Sequence, residues 1–259
     1  MQIKLISMTK EIDQFTMGEL LNDIYGDIDV DHKNELNNYI KERANENGLI
    51  PVECIIEFAG KVCYKSHKKG RNTQDYIKHI LEVGHGSVLE HINYSFLITN
   101  VSRYLTHELV RHRTGCSYSQ ESTRYIGLED MEPFIPDELY TEEDLLNEYN
   151  QYQELTRKLN DKIYDRFTKK GYDKKAARGI ARHALMSTET GLVFSANARS
   201  LRHLFVLRGS VGADREIREM AIELLQIVKE KTKFVFDDME IKEDEINGEF
   251  FIINKYGAV

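Results

Sequence analysis

Residues 111–125 read Arg111-His112-Arg113-Thr114-Gly115-Cys116-Ser117-Tyr118-Ser119-Gln120-Glu121-Ser122-Thr123-Arg124-Tyr125. Three arginines and a histidine share this stretch with a dense set of hydroxyl and amide side chains, in a chain whose formal net charge is −8. It is a cationic island in an acidic protein. The pattern predicts a helix that ends at the Arg-His-Arg run and an irregular loop after it. Guanidinium forks, hydroxyls and backbone N–H groups gathered at one place match the oxygens of a phosphorylated ligand. A bare Arg-His-Arg can equally complement the C-terminal dipole of a helix. The donors from Ser117 to Arg124 exceed what that role needs, so the stretch reads as a nucleotide- and cofactor-binding loop.

Upstream of the loop, Val101, Leu105 and Leu109 recur at helical spacing, and Arg103, His107 and Arg111 fall at i, i+4 and i+8 on another side. Before them Ile92, Tyr94, Phe96 and Ile98 alternate with smaller or polar residues, which predicts a strand over 92–99. Thr73 to Leu81 carries a helical period that Gly84 stops. Val52–Phe58 suits either a strand or a buried helix, and Met1–Met8 a first strand. Residues 9–50, with Asp23, Asp27, Asp29 and Asp31, show little apolar period and read as surface helices and loops without chemistry.

Downstream, Pro133 and Pro136 mark a connector. Thr141–Tyr172 reads as a long amphipathic helix, with Thr141-Glu142-Glu143-Asp144 as a capping box and Gly171 closing it. A shorter helix follows over Asp173–Leu185, with Arg178 and Arg182 one turn apart, then a strand over Thr188–Ala196. Asn197 is a suitable N-cap for the next helix. There Leu201, Phe205 and Arg208 fall at i, i+4 and i+7, so Arg208 stands where an apolar residue would continue the stripe. A guanidinium facing inward is costly unless an acceptor meets it. Ala213–Val235 predicts a last amphipathic helix, and the remaining residues read as an appendage.

Apolar residues make up 41% of the 259 positions and charged residues 30%, enough for one good core. No run is long and apolar enough for a membrane span, and the N-terminus lacks a secretory pattern. Three scattered cysteines without a CxxC pair fit a reducing compartment, so a soluble, cytoplasmic protein is expected. The acidic balance argues against non-specific nucleic-acid binding. His85, His91, His107 and His112 with Glu90 lack the spacing of a helical metal site, so no metal is expected. Neither Ser122 nor Cys116 sits in a nucleophile context, and no GxGxxG or P-loop is present. Chemistry, if any, falls to a cofactor held by other means.

The ordered blocks give a more specific reading. Arg111-His112-Arg113, eight residues, then Ser122, together with Ser117-Tyr118-Ser119-Gln120-Glu121-Ser122-Thr123-Arg124-Tyr125, resembles the hallmark of the flavin-dependent thymidylate synthases. His85-x-Ser87-x-x-Glu90-His91 upstream agrees in order and spacing, as does Asn197-Ala198-Arg199-Ser200-Leu201 with Arg208 downstream. Gln120 stands where other members carry Glu, His203 where many carry Asn, and the spacing to Ser122 is the longer variant.

The resemblance implies an α+β fold with a central, mostly antiparallel sheet flanked by long helices, one domain per chain, assembling as a homotetramer. That domain would span 51–241, between an N-terminal polar extension (1–50) and a C-terminal extension (242–259). It implies reductive methylation of dUMP to dTMP, with 5,10-methylenetetrahydrofolate as carbon donor and FAD reduced by NADPH. Carried over by position, Ser87, Glu90, Arg111, His112, Arg113, Gln120, Asn197, Arg199 and His203 would contact FAD, and His85 the folate face of the flavin. Glu108, Arg111, Gln120, Glu121, Ser122, Thr123, Arg124, Arg182 and Arg208 would hold dUMP. Arg208 would carry the catalysis, stabilising negative charge on the N3/O4 edge of uracil. Two other readings fit the same loop: a non-catalytic nucleotide- or RNA-binding protein, and a flavin oxidoreductase with another acceptor.

Overall fold

The computed structural model describes every residue except 27–29, 67–69, 128–130, 182–184, 247 and 259. Strand β1 (Gln2–Met8) and the short β2 (Ile12–Asp13) lead into helices α1 (Gln14–Tyr25) and α2 (Val30–Lys41). Asp13 caps α1, its carboxylate accepting from the N–H groups of Phe15 and Thr16 at 3.0 Å each. After β3 (Leu49–Ile50), antiparallel to β2, come helices α3 (Cys54–Tyr64) and α4 (Thr73–Glu82). Strand β4 (Asn93–Ser102), helix α5 (Arg103–Leu109) and strand β5 (Cys116–Gln120) follow. The long α6 (Glu143–Lys169), α7 (Lys174–Ala181), strand β6 (Glu189–Asn197), and helices α8 (Ala198–Arg208) and α9 (Arg215–Lys231) come next. An antiparallel hairpin, β7 (Met239–Glu243) and β8 (Phe250–Asn254), ends the ordered elements. The strand order of the larger sheet is β1-β4-β6-β5. Helices and antiparallel pairing make this an α+β chain, as expected.

The chain divides into two compact units, and the four strands of the larger sheet contribute residues to both. The first unit holds residues 1–4, 97–111 and 118–194. In it α6 packs on α7, and Tyr118 stacks on Phe194 with ring centroids 5.3 Å apart. The second holds residues 5–96, 112–117 and 195–259. Its core is built by α8 (Leu201, Leu204, Phe205) and α9 (Ile217, Met220, Leu224, Leu225), with Phe236 edge-on to Phe205 at 5.7 Å.

Several expectations need correcting. Residues 9–50 do form helices, but not only a surface: Met17, Leu21, Leu36, Tyr39 and Ile40 form a buried cluster with Ile50 and Cys54. Their spacing is helical, but the intervening polar residues dilute it. The final residues are not an appendage, because Ile252 is buried and its N–H donates to Gly209 O at 2.7 Å. Val52–Phe58 resolves as the start of helix α3. Residues 116–120 form a strand rather than an irregular loop, with Ser117 and Ser119 exposed and their neighbours half-buried.

Helix α5 is shorter than its period suggested. Ser102 caps it, accepting from Leu105 N at 3.0 Å, and Val110 ends it, so Arg103, His107 and Arg111 do not share one helix face. The capping box at Thr141 is absent. Its hydroxyl donates instead to Glu138 O at 3.0 Å, closing a preceding 3-10 turn, and α6 starts after Glu142 without a side-chain cap. Gly171, at φ +88°, does follow the end of α6.

Candidate active site

The second unit gathers one set of the expected residues on α8. Asn197 caps that helix, its Oδ1 accepting from Ser200 N at 2.8 Å. Two residues on, Arg199 meets Glu90 at 2.7 Å, with both side chains about two-fifths exposed (43% and 41%). Glu90 comes from a 3-10 segment, Gly86–His91, that packs on α3 and α8 and follows a left-handed Gly84 (φ +73°). His85 and Ser87, on the same segment, are exposed.

His112 is nearly buried, 8% exposed, and lies edge-on to His203 with ring centroids 5.6 Å apart. Arg208 Nε donates to His112 Nε2 at 3.1 Å. Burial chiefly, then the positive Arg208 and the neighbouring His203, push the His112 pKa down to about 4. The imidazole is therefore neutral near pH 7, with its proton on Nδ1 and its Nε2 lone pair facing the arginine. This answers what meets the half-buried Arg208: a neutral ring nitrogen. Arg113 is exposed at the turn beyond.

The first unit gathers another set around β5. Gln120 Nε2 donates to Thr106 Oγ1 at 3.1 Å and to Thr190 Oγ1 at 3.3 Å. Glu121 is anchored through its backbone: its N–H donates to Gly191 O at 3.1 Å, and its carbonyl accepts from Arg103 Nη2 at 3.0 Å. Ser122 begins a turn in which its carbonyl accepts from Tyr125 N and Ile126 N at 3.0 Å each. Arg178 Nη1 then holds Tyr125 O at 3.1 Å. Ser122 and Thr123 are half-buried, and Arg124 is exposed. Arg111 and Glu108 lie just before, at the end of α5, with Arg111 N donating to Glu108 O at 3.3 Å. Arg182 lies outside the described residues.

Two arginines were given no site or structural role from sequence. Arg103 is half-buried, its Nε finds no hydrogen-bond partner among the described residues, and burial pulls its pKa down. A desolvated guanidinium beside the Ser122 turn is suited to an incoming anion. The fully buried arginine of α8 is Arg202, not Arg208: it is 0% exposed and grips Asp238 in a fork at 2.7 and 2.9 Å. Its place between Leu201 and Leu204 in the apolar row was the available signal.

The comparisons agree with this picture. A family described as thymidylate synthase complementing protein matches residues 51–232. A flavin-dependent thymidylate synthase of Mycolicibacterium gilvum is 40% identical over 200 residues, covering 72% of this chain and 79% of that one. One of Mycobacterium tuberculosis is 38% identical over 202 residues, with the same coverage. A crystal structure of thymidylate synthase X from Helicobacter pylori, with FAD and dUMP, covers 92% of this chain and 98% of its own at a TM-score of 0.56 and 22% identity, a likeness of fold. The chain belongs to the thymidylate synthase complementing family, whose curated members named here are flavin-dependent thymidylate synthases.

Proposed function

We propose that this chain is a flavin-dependent thymidylate synthase, converting dUMP, 5,10-methylenetetrahydrofolate, NADPH and a proton into dTMP, tetrahydrofolate and NADP⁺. The observation that carries the reading is the cluster of Arg199, His203, Arg208 and His112 on and around α8, in a chain about two-fifths identical to synthases of that name. The donor set fits FAD. Arg113 and Arg199 present cations for the diphosphate, Asn197 and His203 add polar groups, and Glu90 has Arg199 to balance its charge. Ser87 and His112 are assigned to the same cofactor, and His85 to its folate side. When bound, FAD supplies the hydride that it takes from NADPH.

The residues then divide by task. Ser122, Thr123, Arg124 and the backbone of Glu121 are assigned to the dUMP phosphate, with Glu108, Arg111, Gln120 and Arg182 around the nucleoside. Arg208 is assigned to the N3/O4 edge of uracil, where it holds the negative charge that develops as C5 becomes nucleophilic. A neutral His112 accepts the Arg208 Nε–H and so holds the orientation of the guanidinium. No side-chain nucleophile is required in this scheme, because the bond-making atoms belong to substrate and cofactor.

Assembly as a homotetramer is part of the same reading. Leu145, Tyr152 and Leu159 fall seven residues apart on α6 and, with Leu155, are 52–60% exposed. An apolar row at that spacing on one helix suits packing against a second copy. The test is purification and turnover. A yellow protein with about one flavin per chain that forms dTMP supports the reading. A colourless protein that binds nucleotide without flavin overturns it in favour of a binding protein, and flavin reduction without dTMP favours another oxidoreductase.

A further inference from the structure

The turn that carries Arg113 is fastened to the first turn of α8, in part by Ser200 and Gly115, to which no role has been given. Cys116 N donates to Arg113 O at 3.3 Å, closing the turn, and Gly115 sits in the left-handed region at φ +67°. Its two inner carbonyls are both taken by α8. Ser200 Oγ donates to Thr114 O at 2.6 Å, and Asn197 N donates to Gly115 O at 3.1 Å. A Cβ on Gly115 would fall on Asn197 Nδ2 and Ser200 Oγ, well inside contact distance. The position therefore requires glycine twice, once for its backbone angle and once for the closeness of the helix. All of these residues belong to one unit.

We infer that Ser200 and Gly115 are positioning residues for cofactor binding, a latch that fixes Arg113 and His112 against Arg199, His203 and Arg208. The inference rests on the reading that this cluster holds FAD. The physical reason is pre-organisation. Arg113 is on an exposed turn and Arg199 on a helix, and a diphosphate bridged by both is bound best when their spacing is fixed beforehand. Ser200 precedes Leu201 and follows Arg199 in sequence, so its hydroxyl ties the turn to the helix beside one of the two cations. Neither Ser200 nor Gly115 has to touch the ligand for this to work.

The test compares Ser200→Ala, Ser200→Thr and Gly115→Ala in the full-length protein by FAD titration, turnover and amide exchange. Loss of one hydrogen bond in Ser200→Ala should weaken FAD binding about 3- to 10-fold. Turnover at saturating FAD should stay at the wild-type value, because the chemistry is untouched once the cofactor is seated. Ser200→Thr should restore most of the affinity, and Gly115→Ala should lose more than Ser200→Ala. The amides of Cys116 and Asn197 should exchange faster in Ser200→Ala, while those of β7 and β8 do not change. Unchanged FAD affinity in both Ser200→Ala and Gly115→Ala overturns the latch. If the wild-type protein itself binds no FAD, the cofactor reading is what fails. The fastening is then judged by amide exchange alone, and equal rates in wild type and Ser200→Ala overturn it.

Discussion

Two of the three arginines of helix α8, Arg202 and Arg208, have opposite fates. Arg202 is closed off: Asp238 holds its guanidinium in a fork, Val235 O accepts at 2.7 Å and Gly257 O at 3.2 Å. Arg208, two turns later, is half-buried and faces the ring nitrogen of a histidine that burial keeps neutral. The same contrast recurs elsewhere in that unit. Glu57 is fully buried, and burial raises its pKa, but hydrogen bonds from Arg43, Lys61 and Thr73 outweigh this and leave it lowered. Arg199 and Glu90 pair at nearly half exposure. Ion pairs buried in the interior, such as Arg202–Asp238 and Arg43–Glu57, fix the fold. Charges that stay part-exposed, such as Arg199, Glu90 and Arg208, are the ones that a ligand can reach.

The contrast breaks most visibly at Arg202. Arg202→Ala strands Asp238 in the interior and should cost about 3–5 kcal/mol of stability, read as a lowered denaturation midpoint. An unchanged midpoint would remove Arg202 from the set of structural charges. Arg208→Ala should do the reverse. Its circular dichroism and flavin content stay as in wild type, while turnover falls about 10²- to 10³-fold, the usual effect of removing one donor aimed at developing charge. Near-normal turnover would take Arg208 out of the mechanism.

Much of this was legible in the sequence and some was not. The α8 N-cap at Asn197, the strand before it and the helix over Thr73–Glu82 follow from local chemistry, and the structure has all three. Each of the three motif blocks supplies a residue that the structure pairs with another: Glu90 with Arg199, and His112 with Arg208. The misses share a cause. The N-terminal core was hidden because Met17, Leu21, Leu36 and Tyr39 are scattered among polar residues and meet only in three dimensions. Glu57 and Lys61 stand one turn apart, a spacing that by itself does not say whether the pair is buried. Only the arrival of Arg43 and Thr73 from other elements makes them a buried network. Arg202 needed Asp238 in the same way.

Smaller effects sharpen the division. Ser122→Ala should raise KM for dUMP about 5- to 10-fold, the loss of one hydrogen bond to a charged group, with turnover partly retained and no covalent adduct in mass spectra of the wild type. An adduct between dUMP and Ser122 would make it a nucleophile. Glu53 offers the mildest test. Burial raises its pKa to about 7, even though Phe234 N and Val235 N donate to its Oε1 at 2.6 and 3.3 Å. Its folded-state pKa lies above the reference 4.5, so its ionisation should lower stability as pH rises from about 4.5 through 7. His112 works with the opposite sign. Its pKa is depressed from 6.5 to about 4, so stability is lost as pH falls through that window. Glu53→Gln keeps the acceptor and removes the titration. Relative to wild type it should gain stability between pH 5 and 8, a window set by that raised pKa; parallel pH profiles would show that Glu53 does not titrate there.

The central claim is that this chain methylates dUMP at C5 of the uracil ring. Incubating the purified chain with dUMP tritiated at C5, FAD, NADPH and methylenetetrahydrofolate measures it directly. Tritium should pass into water in step with dTMP formation, and only when all four are present. A folded, flavin-bearing protein that leaves the label on uracil would contradict the account.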